Sequence, residues 1–341
     1  MADITISNLS QIPVLGGANS IPISDGSSTF RTTITQLTSL NLPIIDATGG
    51  TITNITERGI KYRIHTFTTV GTSSFNITTA LNNPTVEVLI VGGGGGGGGH
   101  LGGGGGAGGV YSNTGISVSV GTTEVAVGSG GIGGGTAVYV PTSIGENGGL
   151  SKFGIYSTPG GGRAGTYYNN DTFYQDGANG GCGGGGGCSS NTYFPLPGYG
   201  LRGTNNVLGE NGGQGGYSGW GYTGGGGGGA GAAGETGAYY TAGDGGSGIQ
   251  SDITGISKFY AGGGGGSNYH TSGTGQILGA NGGAGGGGDG GSTRHPYGTY
   301  TAKNGINGLG GGGGGGTQIN GIGQGGGAGG SGIVIVRYPV Y

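Results

Sequence analysis

Two cysteines, four histidines and a thin scatter of carboxylates are the residues of this chain with reactive potential. Cys182 and Cys188 bracket five glycines. That pattern is open to two functional readings: a disulfide closing a short loop, or half of a zinc site. An extended five-glycine spacer holds the sulfurs too far apart for a bridge. His65, His100, His270 and His295 stand isolated in the sequence, so zinc lacks its other ligands. Two small buried residues at the ends of one tract is the plainer reading. Asp171 with Asp176, or Glu210 with Asp244, could meet as the paired carboxylates of a depolymerase. Solvated loop carboxylates account for them more simply. A G-x-G-x-x-G match arises many times by chance in a chain this rich in glycine. The phosphate-cradling P-loop is absent, because Lys152 and Lys258 are followed by Phe153 and Phe259. No nucleophile elbow or H-E-x-x-H stretch is present. The expectation is a binding protein, not an enzyme, with no catalytic residue, no metal and no cofactor.

The stronger signal is aromatic. Tyr167, Tyr168, Phe173 and Tyr174 form one cluster, and Tyr193, Phe194 and Tyr199 a second. Tyr217, Trp220 and Tyr222 make a third, Tyr239 and Tyr240 a fourth, and Tyr269, His270, His295, Tyr297 and Tyr300 complete the set. Tyrosine among Ser, Gly and Asn is the vocabulary of adaptable binding loops, offering large contact area at low entropic cost. Aromatic faces also suit sugar rings. The competing reading lays about half of these rings flat on glycine or between copies of the chain, as the only bulky groups available.

These loops must be positioned by something, and the composition says what. Glycine occupies 104 of 341 positions, while charged residues make up 7% and the formal net charge is -3. That balance leaves no electrostatic footprint for nucleic acid and no basic patch for a membrane. Collagen fails for want of proline and of a G-X-Y period. Disorder fits poorly with so few charges and 19 tyrosines. No stretch approaches a membrane span, and the opening Met1–Ile6 lacks the marks of a secretory signal.

Along the chain, three zones differ. Residues 1–44 hold few glycines, and Asp25-Gly26 sits between Ile21, Ile23 and Phe30, Ile34, Leu37 as a strand, turn, strand and short cap. Residues 45–61 alternate Ile with Thr or Asn and are expected to be an extended linker. Residues 62–341 contain strong strands, among them Val86–Val91 and Ile333–Tyr338, expected to join in one closing sheet. Ile116–Val120 and Val125–Val127 suggest a hairpin. Between the outer strands, glycine tracts such as Gly92–Gly99, Gly183–Gly187, Gly224–Gly229 and Gly310–Gly316 alternate with the aromatic segments at irregular spacing. A glycine tract readily adopts the polyproline II helix, whose N–H and C=O groups all point outward. Without Cβ atoms, neighbouring helices can close until those groups pair. The predicted fold is all-β and irregular: a short N-terminal β module, then packed polyglycine II helices closed by strands. Ala107, Ala230 and Ala284 are expected on an outer face of the slab, where a methyl fits.

Two parts of the chain resemble phage tail appendages. Ile21-Pro22-Ile23-Ser24-Asp25-Gly26, followed by Thr33-Ile34-Thr35-Gln36-Leu37, looks like the short N-terminal module of tail fibres, and Ile45–Thr56 is similar to their linkers. Val88–Val91 running into glycine, with Gly330–Tyr338 at the close, resembles a glycine-rich domain of phage tail proteins. A more distant likeness is to tail-fibre tip adhesins, whose polyglycine II sandwiches carry receptor-contacting loops. The resemblance implies a virion tail appendage made in the host cytoplasm and assembled as a homotrimer. Its N-terminal module, with Ile21, Ile23, Phe30, Ile34 and Leu37, would attach to the tail or a neighbouring fibre protein. Its aromatic loops would bind a host surface polysaccharide or outer-membrane protein, with no nucleic acid and no membrane insertion. A capsid decoration protein or a self-assembling filament subunit is the alternative.

Overall fold

The structure, a computed structural model, describes residues 42–341 apart from 138–142, 168–171, 189–192, 202–206, 219–220, 239, 271–278 and 295–297. It also describes the backbone of β1 (Ser20–Ser24) and β2 (Thr29–Thr33), which pair antiparallel as the sequence suggests. Ile21, Ile23 and Phe30 lie on these two strands, whereas Ile34 and Leu37 fall outside the described residues. Ten strands then follow the chain as far as the middle of the glycine-rich region. They are β3 (Ile44–Thr48), β4 (Thr51–Glu57), β5 (Ile60–Phe67), β6 (Gly71–Leu81) and β7 (Thr85–Val91), then β8 (Val110–Ser117), β9 (Gly121–Val127), β10 (Ser151–Phe153), β11 (Tyr156–Thr158) and β12 (Val207–Leu208). Short strands come next: β13 (Gly216–Ser218), β14 (Gly221–Thr223), β15 (Ile249–Ser251), β16 (Lys258–Tyr260), β17 (Asn268–His270), β18 (Ser292–Arg294), β19 (Gly298–Tyr300), β20 (Gln318–Ile319) and β21 (Ile322–Gly323). The long β22 (Ile333–Val340) closes the chain, and one helical turn, α1, spans Thr172–Gln175.

The fold is all-β. Its side-chain core is a sandwich of two sheets, ordered β11–β10–β9–β6–β3 and β12–β8–β7–β22–β5–β4. Phe75, Ile77, Val125 and Phe153 from the first sheet meet Val88, Ile90, Tyr111, Val334, Val336 and Tyr338 from the second. The second sheet is buried on its other face too. There Ile64, Leu89, Val91, Ile333 and Ile335 pack against Ala107, Ala230, Tyr260 and Leu309 of the glycine-rich region. Burial on both faces explains why β7 and β22 read as nearly unbroken apolar runs. Arg337 ties the sheet together near its edge, binding Glu87 at 2.7 Å and Glu57 at 3.0 Å beneath the Tyr62 ring.

Three expectations change here. Residues 45–61 are extended, but they supply β3 and β4, paired with β6 and β5, and so belong to the sandwich rather than to a linker. Of the outer strands, β5, β7 and β22 join in one sheet as expected, but β6, which carries Phe75–Ile77, lies in the facing sheet. β8 and β9 are consecutive but lie in different sheets, because their connection crosses the sandwich.

Beyond Val91 and Val110 the side chains stop and the backbone takes over. Gly92, Gly95 and Gly98 donate to the carbonyls of Gly109, Gly106 and Gly103. Gly93, Gly96 and Gly99 donate to Gly149, Glu146 and Ser143, while Gly94 and Gly97 donate to Gly330 and Gly327. The partner recurs every third residue, the repeat of a polyproline II helix. Carbonyls of the same tract accept in turn from Gly131 and Gly134, from Gly161 and Ala164, and from Gly313 and Gly316. One tract thus touches six others, three by donating and three by accepting. The tracts that include Gly105, Gly185, Gly227, Gly264 and Gly313 are enclosed in the same way.

This packing leaves almost no room for a side chain. A Cβ built on Gly94, Gly97 or Gly105 falls within 3.0 Å of a facing carbonyl oxygen, closer than real Cβ atoms come. Ala164, fully buried with its N–H on Gly96 O, is a methyl accepted within the slab. Ala284 is exposed, as expected, but Ala107 and Ala230 are buried. They sit at the tract ends that meet the sandwich, where apolar side chains replace backbone as the packing surface.

At the lateral margins, where the next tract is missing, Asn and Asp side chains supply the absent carbonyl. Asn147 accepts from Arg163 N, Asp176 from Leu196 N, Asn179 from Tyr199 N, Asn304 from Ala328 N and Asn307 from Ser331 N, all within 2.7–2.9 Å. The pairs Asp176/Asn179 and Asn304/Asn307 are three residues apart, so both members point to one side of a three-fold helix.

Gly97→Ala or Gly105→Ala is expected to cost about 3 kcal/mol, because a packed carbonyl must move. Gly115→Ala, at an exposed strand position with nothing nearer than 3.9 Å, is expected to fall within about 0.5 kcal/mol of wild type. Denaturant melts of the three variants check this, and a Gly97→Ala protein as stable as Gly115→Ala would contradict the lattice.

Candidate functional site

The hydrogen-bond register gives every tract an up or down sense. Gly92–Gly99 leaves β7, the chain turns at His100 and Leu101, and Gly102–Gly109 returns into β8. Eight residues at about 3.1 Å each carry this hairpin about 25 Å from the sandwich. Every later tract runs alongside it. Bends at the sandwich end are short, as at residues 180–182, 230–232 and 284–286. At the far end the turns are long and rich in tyrosine.

The first hairpin plugs that far end. His100 and Leu101 have φ of 39° and 59°, in the left-handed region that costs a side chain strain. Both are buried. Leu101 packs with Tyr167 and Cys188, and His100 meets the Tyr167 ring edge-on at 5.8 Å, with its Nε2 3.3 Å from Gln318 Oε1. Burial holds the His100 imidazole below its ordinary titration range.

Above this plug lies a small sheet, β13–β14–β17–β18–β19. Its register sets Tyr217 opposite Tyr222, and Tyr222 opposite Tyr269. Ring contacts run from Tyr167 to Tyr222 at 5.4 Å, then on to Tyr217 at 5.2 Å and Tyr269 at 6.2 Å. Tyr240 lies over His270 at 4.9 Å. Exposure rises outward along this array. Tyr167 and His270 are buried, Tyr217, Tyr222 and Tyr269 are half-buried, and Tyr240 and Tyr300 are 43% and 51% exposed.

The sequence-derived candidates therefore divide. Tyr222, Tyr240, Tyr269 and Tyr300 share the far-end sheet or its margin, with Tyr167 and His270 supporting them from below. Tyr174 and Phe194 lie on the neighbouring far-end turns, Tyr174 half-buried and Phe194 exposed. Phe173 falls within α1. Tyr199 is exposed but level with Gly180, whose N–H it receives, and so sits towards the sandwich end. Tyr168, Trp220, Tyr239, His295 and Tyr297 fall outside the described residues. The sequence alone gave Leu101 and Gln318 no role and left His100 as an isolated histidine. The signal was available: a two-residue break between glycine tracts marks the tip of a polyglycine hairpin.

Of the two carboxylate pairs raised as hydrolytic, Asp171 with Asp176 and Glu210 with Asp244, Asp176 and Asp244 are committed to structure, and Asp171 falls outside the described residues. Asp176 accepts from Leu196 N and from the Tyr193 hydroxyl at 2.8 Å, and Asp244 accepts from Asn281 N at 2.7 Å. Among the described residues, no three His, Cys, Asp or Glu side chains are grouped to hold a metal, and no helix is long and apolar enough to cross a membrane. Cys182 and Cys188 are free and buried at opposite ends of one tract. The first sits in the sandwich-side cluster and the second in the far-end plug.

Sandwich, backbone-bonded slab and aromatic far end together define a class: glycine-rich proteins built on packed polyglycine II tracts. The chain belongs to the glycine-rich domain family, whose family model matches residues 68–339. No curated protein matches it.

Burial pushes the Cys182 thiol up to about 12 and raises that of Cys188 as well. Neither is expected to react with an alkylating reagent at neutral pH until the chain unfolds, when both do so within the same transition. Mass spectrometry along a denaturant series reads this, and rapid labelling of the native protein would contradict it. The Tyr193 phenol is raised to about 12, first by burial and then by Asp176. A raised phenol pKa favours the folded state below the ordinary value of 10.0, a contribution lost as pH climbs through the folded value. The Tm difference between wild type and Tyr193→Phe is therefore expected to stay constant below pH 10.0 and to close as pH approaches about 12.

Proposed function

We propose that this chain is a phage tail-fibre or tail-tip adhesin that binds a receptor on the host-cell surface. The observation that carries the reading is the separation of its two ends. Ile44, at the start of β3, pairs with Leu81, and β6 runs from there back towards Gly71, level with Val127 at the slab. The chain therefore enters the sandwich at the pole away from the glycine tracts. A slab about 25 Å deep intervenes, and the exposed tyrosines lie at the opposite end. An N-terminal anchor on one side and a tyrosine-rich face on the other is the layout an appendage needs.

The slab suits that task. It is fixed by backbone bonds in all lateral directions, so far-end turns stand on a rigid base while their own sequences are unconstrained by the lattice. Recognition rather than catalysis agrees with side chains that supply area and hydroxyls. The likeness of residues 21–37 to fibre attachment modules supports placement on a virion tail. The homotrimer rests on the same likeness to fibres.

Purified protein is expected to compete with virions for adsorption, and Tyr240→Ala with Tyr300→Ala to abolish that competition without lowering Tm. Immunogold labelling of native particles should mark the tail tip. Label spread over a capsid, or competition that survives both tyrosine changes, would sink the assignment.

A further inference from the structure

We propose that the free edge of β4 accepts an added strand, and that a second copy of this chain supplies it from its N-terminal hairpin, with β2 lying along β4. This holds for a capsid or filament subunit as well as for an adhesin. The four edges of the sandwich differ. β11 and β12 end their sheets with only three and two residues. β3 is interrupted by a bulge between Asp46 and Ala47, and Asp46 places a charge there, bound to Arg63 at 2.8 Å. Short strands, bulges and charges are the devices that keep an edge from pairing. β4 lacks all three along its span. It runs seven residues, Thr51–Glu57, in unbroken register with β5 and without proline. Its one charge stands at the turn, where Glu57 is held by Arg337.

The turn after β4 decides which groups the edge offers. Arg58 and Gly59 both have positive φ, at 51° and 81°, as in a two-residue hairpin loop whose closing pair, Glu57 and Ile60, is hydrogen-bonded. Alternation from that pair turns the N–H and C=O of Thr56, Asn54 and Ile52 outward. All three residues are exposed. A pocket of about 410 Å3 lies beside them, walled by Asn54 and Thr56, by Lys61 and Arg63 of β5 and by Val340 of β22. Arg63 Nε is buried there without an acceptor. Main-chain bonds along an edge, with a pocket for alternate side chains, are how a sheet takes up an extended segment.

The chain carries a matching piece. β1 and β2 form a two-stranded sheet of their own, and an isolated hairpin is marginal in water. Pro22, in the middle of β1, has no N–H to give, which makes β1 an outer strand. β2 has no proline, so a third strand belongs on its side. Three of its five residues are threonine, whose hydroxyl is an acceptor of the kind Arg63 Nε lacks. Residues 34–43 separate β2 from β3 and reach at most about 35 Å, enough to cross from the pole at Ile44 to a neighbouring copy. Pairing of β4 with β4 is the rival use of a second copy. It would point the two slabs in opposite directions and leave both hairpins unpaired.

The test mixes full-length Asn54→Cys protein with full-length Thr29→Cys, Arg31→Cys or Thr33→Cys protein under mild oxidation. Cys182 and Cys188 are buried and stay out of the reaction. The expected result is a disulfide joining the two variants in at least one mixture, read by mass spectrometry. Self-bonding of the Asn54→Cys protein alone marks the β4-to-β4 arrangement, and no bond in any mixture means that β2 does not reach β4 of another copy. Either result overturns the inference. Asn54→Pro gives an independent reading, because it removes an outward N–H and leaves the ladder to β5 whole, so Tm is expected to be unchanged. Self-association measured by sedimentation equilibrium is expected to weaken at least about tenfold, the loss of about one ladder bond. A monomeric wild type, or an Asn54→Pro protein that associates as tightly, overturns the inference. Receptor binding is judged separately, by competition for adsorption, so failure here leaves that part of the adhesin reading standing.

Discussion

The structure depends on one close approach: a carbonyl oxygen resting where a neighbouring residue's Cβ would be. That contact lets backbones approach until every third N–H meets the same partner, and it holds only while the tracts remain glycine. Ordering glycine is entropically costly, so the lattice is stable only if its polar groups are nearly all paired. The Asx side chains on the margins serve this condition. They complete the bonding of outer tracts at places where another tract would otherwise be required.

A lattice of identical units has an ambiguity of its own. Sliding one glycine tract by three residues restores the same set of bonds, so the slab cannot fix its own register. The residues that are not glycine fix it. β7 and β8 anchor both ends of the first hairpin, β22 anchors the last descending tract, and Ala107, Cys182 and Ala230 join one apolar cluster with Leu89, Val91 and Ile335. At the far end, Leu101, Tyr167 and Cys188 perform the same service. The sandwich is therefore more than a lid. It sets the phase from which the polyglycine region is built.

Much of this was legible from residues alone, because glycine tracts have few alternatives once collagen and disorder are set aside. Val86–Val91 and Ile333–Tyr338 read as buried strands from their apolar runs, and the buried fate of Cys182 and Cys188 followed from their place at the ends of a tract. The facing of the two sheets was not legible, since a connection that crosses a sandwich looks the same in sequence as a hairpin. The methyls of Ala107 and Ala230 were misplaced for a related reason. Where a tract meets a side-chain core is a property of register, and register is long-range. Among the aromatic candidates, the sequence could group rings by proximity but not rank them by depth. Tyr167 and Tyr240 look equivalent in sequence, yet one supports the other's end of the slab from beneath.

The bonds of the slab all run across its long axis, and this has a mechanical consequence. A pull between the sandwich and the far end loads neighbouring tracts in shear, so many parallel bonds must fail together rather than one after another. Polyproline II chain is already close to full extension at about 3.1 Å per residue, so the slab has little slack to give up first. Traction along the axis meets a stiff strut, whereas peeling from a lateral margin meets single tracts secured by a few asparagine and aspartate side chains. The molecule is strong in one direction and weak in another, and the strong direction is the line joining its two poles.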